Sequence, residues 1–130
     1  MTSAETKSRT IFCDIDGTIF KYRKFETYQD LKAELTPGAL DKLSKWRRDG
    51  CFIVLTTARP ESYRNHTVKE LLINNVPWDK LIMGIGRGPR YLINDMEPNG
   101  TQLRAIAYSI QRDKGLKDVV VGATEEIYRR

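Results

Sequence analysis

Two aspartates separated by one residue, Asp14 and Asp16, are the part of this sequence best suited to chemistry. They follow the short apolar run 11–13 and precede Gly17 and Thr18. Side chains at positions i and i+2 of extended backbone point to the same side, and the glycine lets the chain turn away after the strand. Two clustered carboxylates repel each other unless a hard cation or a proton lies between them. The pattern therefore predicts a site for a metal ion and for acid–base chemistry.

Three other interpretations of this pattern are weaker. An Asp-Gly hairpin turn requires a matching strand directly after Gly17, and residues 21–26 lack the alternation of such a strand. A calcium loop of the EF-hand type requires a glycine and a carboxylate where this chain has Ile19 and Phe25. The third interpretation is a solvated acidic turn without function. Polar groups at the ends of other predicted strands, described below, argue against it.

Length and composition fit a single globular domain. The chain has 130 residues and a formal net charge of +5. We predict a leader over residues 1–9, without the apolar core of a signal peptide, and one domain over residues 10–130. No stretch approaches the roughly 18 apolar residues of a membrane span. Cys13 and Cys51 adjoin apolar runs, so we expect two reduced core thiols in a cytoplasmic protein.

Basic residues lie beside the two aspartates and in the glycine-rich segment 84–90, namely Lys21, Arg23, Lys24, Arg87 and Arg90. A rim of such residues attracts anionic substrates. The glycine-rich segment does not predict a dinucleotide site, since a proline and another apolar run follow it in place of a helix. We interpret it as a loop that carries Arg87 or Arg90 to a phosphate.

The remaining elements place these groups at one edge of a sheet. Apolar runs predict strands over 10–14, 51–55, 79–83, 91–93 and 119–121, and helical spacing predicts helices from Thr36 to 48, over 61–74 and over 100–114. Thr36 and Asn99 are the predicted N-caps of the first and third helices. Residues 18–36, which we call the flap, have no clear period. The alternation predicts an α/β fold: a three-layer, Rossmann-like sandwich with a mostly parallel central sheet.

Two further predicted strands end in polar groups. Thr56 and Thr57 follow the second strand, and Asn94 and Asp95 follow the fourth. Hydroxyl and backbone N–H groups suit phosphate oxygens, and an extra carboxylate completes an oxygen shell for Mg²⁺. A helix cap at the threonines and a plain turn at Asn94 and Asp95 are the alternatives.

These motifs resemble those of the haloacid dehalogenase-like (HAD) superfamily of phosphohydrolases, over residues 10 to 112. The first motif is similar to residues 11–18, the second to residues 55–60 and the fourth to residues 93–95. An arginine, Arg87 or Arg90, stands in the place of the usual lysine of the third motif, and Asn94 in that of a first aspartate. The intervals between motifs are too short for a cap domain, so the chain resembles a capless member.

The resemblance implies a Mg²⁺-dependent phosphomonoester hydrolase that works through an aspartyl-phosphate. Asp14 is then the nucleophile and Asp16 the acid and base. The implied metal residues are Asp14, Asp16 through its backbone carbonyl, and Asp95 with Asn94 beside it. Thr57 and either Arg87 or Arg90 are expected to neutralise the phosphate. The expected substrate contacts are Gly17, Thr18, Lys21, Thr56 and Arg59.

A small phosphorylated sugar or a similar metabolite is the favoured substrate. Nucleic-acid ends are an alternative that the basic rim permits, but aromatic residues for stacking on bases are few beyond Tyr22, Phe25 and Tyr28. A non-catalytic phosphoacceptor or binding module is a second alternative, which would not need Asp16. No membrane partner is expected, and a dimer or tetramer that covers the site with a neighbouring subunit is compatible with the sequence.

Overall fold

A computed structural model of the chain describes residues 9–122 and 125–126. Contacts divide the chain into two compact units, one of residues 1–87 and 110–117 and the other of residues 88–109 and 118–130. The named strands and helices all belong to the first unit. The single domain over 10–130 and the absence of a cap stay predictions, and residues 1–8 of the predicted leader lie outside the described residues.

Three parallel strands form the sheet of the first unit. They are β1 (Thr10–Asp14), β2 (Phe52–Thr56) and β3 (Lys80–Ile82), in the order β1-β2-β3. The register places Asp14 opposite Thr56 and Thr56 opposite Ile82, so the three strands end at one edge. Parallel strands need crossover connections, and these contain the helices that flank the sheet. The predicted α/β class and the parallel, Rossmann-like sheet are confirmed.

The first crossover contains the helix α1 (Ala39–Arg48). The sequence predicts Leu40, Leu43 and either Trp46 or Arg47 on its inner face; Leu43 and Trp46 are buried, but Ala39 is buried in place of Leu40, which is half-buried. The predicted N-cap is wrong. The helix begins after Gly38, whose φ of 75° is favourable only for glycine. Thr36 instead donates its hydroxyl to the backbone oxygens of Thr18, at 2.6 Å, and Ile19, at 3.3 Å. The hydroxyl therefore fixes the start of the flap.

The second crossover contains the helix α2 (Arg64–Ile73), preceded by the 3-10 turn Glu61–Tyr63. The sequence predicts an apolar stripe of Val68, Leu71 and Leu72, but of these only Leu71 is fully buried, and Leu72 is 63% exposed. Thr67 and Glu70 are buried in their place. The predicted apolar face is wrong because the side chains of Thr67 and Glu70 point inward, where both bind the buried Arg59.

The flap, residues 18–36, has the irregular structure that the sequence predicts. It contains the 3-10 turn Phe25–Thr27, and its ends are joined by a β-bridge between Phe20 and Leu35. Ile19 and Phe20 at its start are fully buried. The flap is therefore anchored to the core at its base.

The core of the first unit lies around the sheet and the start of the flap, with Ile15, Ile19, Phe20, Leu43, Ile53, Leu55 and Leu71 fully buried. Cys13 and Cys51 are buried and form no disulfide bond, which confirms two core thiols. Burial, and then the charge of Asp14, raises the pKa of Cys13 to about 12. Within the described residues no helix is long and apolar enough to cross a membrane.

The second unit differs from the prediction. Residues 91–93 form no strand and residues 100–114 form no helix. Asn99 is therefore not an N-cap, because no helix follows it. Glu97 accepts the backbone N–H groups of Asn99, Thr101 and Gln102. The backbone N–H of Leu103 donates to the backbone oxygen of Glu125 at 2.7 Å. A helix over these residues would direct the N–H of Leu103 to the carbonyl of Asn99, and this donor is bound to a distant part of the chain instead.

The predicted last strand over residues 119–121 is also wrong. Residues 121–122 lie in a turn, and residues 119–120 belong to no strand. The carbonyl of Val120 accepts the hydroxyl of Tyr108 at 2.7 Å. Three consecutive valines have a high β-propensity, but a strand also needs a neighbour with which to pair.

Candidate active site

The loop after β1 is fixed by its own backbone. The carbonyl of Ile15 accepts the N–H groups of Thr18, Ile19 and Phe20, and the N–H of Gly17 donates to Phe20 at 2.7 Å. Gly17 has a φ of 86°, a conformation that side chains disfavour. A tight loop therefore follows the strand, as the Asp-Gly sequence predicts, and it holds both aspartates at the carboxyl edge of the sheet.

A pocket of about 200 Å³ opens beside this loop, and Asp14, Asp16, Gly17, Thr18, Ile110 and Arg112 line it. The Thr18 hydroxyl donates to Asp14 Oδ2 at 3.2 Å. All six residues belong to the first compact unit. Four of them are predicted site residues, and the structure brings those four together.

The Asp16 carboxylate is held by Arg59. Nε of Arg59 donates to Oδ2 at 2.9 Å, and Nη2 donates to Oδ1 at 2.8 Å. Tyr28 donates its hydroxyl to the same Oδ2 at 3.1 Å. The Arg59 side chain is only 1% exposed. Arg59, a predicted substrate contact, thus lies beneath the site and binds the second aspartate.

Arg59 is the centre of a buried charged network. Its Nη1 donates to Glu70 at 2.8 Å and to Thr67 at 3.0 Å, and Arg23 binds Glu70 through two further hydrogen bonds at 2.9 and 3.0 Å. Burial opposes the charge of Arg59, but Asp16 and then Glu70 raise its pKa above its ordinary value. We call Asp16, Arg59, Glu70 and Arg23 the buried network.

Glu70 is the acidic partner of both arginines in the buried network. Burial raises its pKa, but the hydrogen bonds from Arg23 and Arg59 outweigh burial and hold the pKa below its ordinary value. His66 also lies near it, with Nε2 3.2 Å from Oε2. A buried charge is stable only when it is paired, and the two buried arginines therefore explain why α2 carries a carboxylate on its inner face.

Tyr28 connects the flap to the buried network. Its ring lies 4.3 Å from the Arg59 guanidinium carbon and 4.9 Å from that of Arg23. Burial, followed by the charge of Asp16, raises the pKa of Tyr28 to about 12. The hydroxyl therefore stays protonated at neutral pH and remains a hydrogen-bond donor to Asp16.

The predicted phosphate-binding threonines end β2 and begin the next turn. Thr56 lies half-buried opposite Asp14, and Thr57 is 1% exposed. The Thr57 hydroxyl accepts the backbone N–H of Arg59 at 3.1 Å. The backbone N–H of Thr57 donates to the carbonyl of Ile82 at 3.0 Å. Neither threonine lines the pocket. Thr57 fixes the turn that carries Arg59, and its contact with a phosphate stays a prediction.

The predicted basic rim is only partly formed. Arg23 is buried in the network, and Lys21 pairs with Glu34 at 2.6 Å, whose hydrogen bond and charge raise the pKa of the lysine. Arg87 is exposed and does not line the pocket, and the exposed Arg90 donates to the Gly88 carbonyl at 2.9 Å. Arg90 belongs to the second unit.

Asn94 and Asp95 also belong to the second unit. The Asn94 amide donates to Asp95 Oδ1 at 3.1 Å, and Arg104 lies 3.4 Å from the same oxygen. Among the described residues, no group of three or more His, Cys, Asp or Glu side chains forms a metal cluster. The predicted metal contacts of these two residues stay predictions.

Sequence reasoning missed Arg112, Tyr28 and Glu70 as members of the site. Glu70 carries a detectable signal, because a carboxylate at an apolar position of α2 indicates a buried cationic partner. For Arg112 the sequence gives only a weak signal, the Asp-Lys-Gly turn that follows it. In the structure the Asp113 carboxylate accepts the N–H of Tyr22 at 2.7 Å, across 91 positions of sequence. Such distant contacts leave no periodicity in the sequence.

Comparisons with known proteins report a structural likeness. The sequence matches no protein-family model and no curated protein. The chain is similar to the crystal structure of an MCSG target from Vibrio cholerae, with 17% sequence identity and a TM-score of 0.49. The similarity covers 65% of this chain and 79% of that one. The site geometry above does not depend on this likeness.

Proposed function

We propose that the protein is a Mg²⁺-dependent phosphomonoester hydrolase that forms an aspartyl-phosphate at Asp14. One observation carries the proposal: Asp14 lines a pocket at the carboxyl edge of a parallel sheet, while Asp16, two residues on, is held beside it by other groups. Ligands of open α/β sheets bind at this edge. Two carboxylates in different surroundings can take different roles in one reaction.

The donor chemistry fits Mg²⁺. The Asp14 carboxylate and the Asp16 backbone carbonyl would supply oxygen ligands from one loop, and Mg²⁺ needs only one or two carboxylates because it keeps several waters. When bound, the ion neutralises charge on the phosphate and on the attacking carboxylate.

In the proposed reaction an Asp14 oxygen attacks the phosphorus, and the bond to the substrate oxygen breaks. Asp16 protonates the leaving alkoxide and then takes a proton from the water that hydrolyses the aspartyl-phosphate. Asp16 needs a proton for the first step, and Tyr28 supports it in both states, since a hydroxyl donates to a carboxylate and accepts from a carboxylic acid. Arg59 is the residue that positions Asp16.

A small substrate fits the pocket best. Its volume of about 200 Å³ is below the roughly 300 to 1,000 Å³ of pockets for drug-sized ligands. A phosphoryl group with a short polyol or sugar is therefore the proposed substrate. A cytoplasmic location is a further proposal, supported by two buried cysteines that form no disulfide bond.

The proposal is tested by turnover of an aryl phosphate with Mg²⁺, followed by a panel of phosphosugars and 3′-phosphorylated oligonucleotides. We expect activity in the wild type, preference for a phosphosugar, and none in Asp14→Asn. Asp41→Asn, an exposed change on α1, is the matched control. Activity in Asp14→Asn well above a mock preparation would refute the role of Asp14.

A phosphoacceptor without turnover is a second candidate function. The observation for it is that three hydrogen bonds to Arg59 and Tyr28 already engage the Asp16 carboxylate. This candidate predicts one stable phosphoryl group per chain and no steady release of phosphate. Steady release would eliminate it.

A further inference from the structure

Arg112 is the one arginine among the six residues that line the pocket. A Cβ built on Gly17 would lie 3.2 Å from its Cγ and 3.8 Å from its Nε, so the side chain crosses the open face of that glycine. Gly17 thus does two things: it makes the turn and it leaves room for the arginine. Arg112 therefore lies against the loop that carries both aspartates.

The position of Arg112 is fixed by its neighbours. The guanidinium carbon lies 4.1 Å from the centre of the Tyr22 ring, a cation–π contact. The N–H of Asp113 donates to Gly17 at 2.9 Å, and the Asp113 carboxylate accepts the N–H of Tyr22 at 2.7 Å. The following turn is joined to the rest of the unit through Leu116, whose N–H donates to Pro37 at 3.0 Å.

The other basic residues expected at the site are placed differently. Arg23 and Arg59 are buried and bind carboxylates, and Lys21 pairs with Glu34. Arg87 does not line the pocket. A phosphate dianion that enters beside Asp14 needs a cation within reach, because the attacking carboxylate repels it. The pocket contains one arginine suited to that task.

We propose that Arg112 binds the phosphoryl oxygens of the substrate, in the role that the sequence assigns to Arg87 or Arg90. A guanidinium presents a planar fork of N–H donors that matches two phosphate oxygens, and its face can stack on Tyr22 at the same time. This inference rests on the proposed function for the identity of the ligand. It concerns the residue that receives the phosphate, and not the chemistry at Asp14.

The test measures binding of inorganic phosphate by calorimetry in the presence of Mg²⁺. Arg112→Gln should weaken binding by about 10- to 100-fold, since a charge-assisted hydrogen bond is lost. Arg112→Lys should weaken phosphate binding less, because the positive charge remains although the planar set of N–H donors is lost. Arg48→Gln, an exposed change on α1, should bind as the wild type does.

A second variant tests how Arg112 is positioned. Tyr22→Leu removes the stacked ring and leaves the guanidinium, so phosphate binding should fall by about 2- to 5-fold. Arg87→Gln and Arg90→Gln should leave it unchanged. Loss of binding in either of these, with Arg112→Gln unaffected, would overturn the proposal, as would absence of phosphate binding by the wild type.

Turnover assays on the same variants separate this inference from the proposed function. A wild type that hydrolyses phosphomonoesters, with KM unchanged in Arg112→Gln, would overturn the inference and leave the function standing. A wild type that hydrolyses none, yet binds phosphate through Arg112, would leave the inference standing and overturn the function.

Discussion

Asp14 and Asp16 lie in one loop, but their surroundings differ. Asp14 lines the pocket and accepts the Thr18 hydroxyl, in the company of Arg112. Asp16 also reaches the pocket, yet its carboxylate is bound to Arg59 and Tyr28 beneath it. Under the proposed function Asp14 would therefore meet the substrate directly, while Arg59 and Tyr28 hold the Asp16 carboxylate in a fixed orientation.

The buried network also links that orientation to distant parts of the first unit. Arg59 comes from the turn after β2, Glu70 from α2, and Arg23 and Tyr28 from the flap. Paired buried charges are a poor source of net stability, but removing one partner leaves the others uncompensated. The arrangement is therefore better explained by the positioning of Asp16 than by stability.

The largest expected effect comes from Arg59→Met, which leaves Asp16 and Glu70 without their common partner. We expect a loss of about 3 to 5 kcal/mol in the free energy of unfolding, measured by urea denaturation. Arg47→Met is the matched control, because Arg47 pairs with Asp79 at the surface, at 3.2 Å, and should lose far less. Equal losses in the two variants would contradict a central role for Arg59.

Glu70→Gln tests the same network by pH. The folded-state pKa of Glu70 is depressed below its ordinary value of 4.5, so its contribution to stability is complete above pH 4.5 and is lost as the pH falls through the folded pKa. At neutral pH the variant should be less stable by about 3 kcal/mol. The gap to the wild type should close at acid pH, measured by urea denaturation across a pH series.

The groups that face Glu70 are Arg23, Arg59 and His66. The arginines stay charged throughout the acid range, so the closing gap reports Glu70 itself. Glu61→Gln, an exposed change next to Arg64, serves as the control and should track the wild type. A gap that stays constant below pH 4.5 would show that Glu70 is not ionised in the folded protein.

Gly17→Ala changes the loop that carries Asp14 and its contact with Arg112. The φ of 86° costs a residue with a Cβ about 1 to 2 kcal/mol, and the new methyl would press on Arg112 Cγ at 3.2 Å. We expect weaker phosphate binding in addition to the loss of stability, measured by calorimetry and urea denaturation. Normal binding would mean that Arg112 does not depend on the contact with Gly17.

Tyr28→Phe should have the smallest effect. It removes the hydrogen bond to Asp16 but keeps the ring between Arg59 and Arg23. One hydrogen bond contributes about 0.5 to 1.5 kcal/mol, so stability should fall by that amount, by urea denaturation. In a turnover assay kcat should fall while KM is kept, because in the proposed reaction Asp16 acts after the substrate has bound. A change confined to KM would contradict this role.

The first unit is predicted well by its sequence, and the second is not. β1, β2 and α1 have apolar runs or helical spacing, so local signals are sufficient there. α2 is predicted in the right place, but Thr67 and Glu70 are buried where apolar residues are expected. Residues 100–114 carry a helical pattern, but the N–H of Leu103 donates to the backbone oxygen of Glu125, a partner distant in the sequence. Local periodicity contains no information about such competing partners.

The candidate site divides in the same way. Asp14, Asp16, Gly17 and Thr18 follow from a local motif, and the structure brings them to one pocket. Arg59 is predicted correctly as a residue near the site, but its partner is Asp16, which only the fold reveals. Arg112 reaches the loop from the far end of the chain, so no local rule identifies it.

The central claim is that Asp14 is the residue that becomes phosphorylated. The most direct measurement is to mix the protein with an aryl phosphate and Mg²⁺, quench in acid, and map the adduct by mass spectrometry of peptides. The account predicts one phosphoryl group on Asp14 and none in Asp14→Asn. A phosphoryl group on another residue of the wild type, or phosphate release by Asp14→Asn at the wild-type rate, would contradict it.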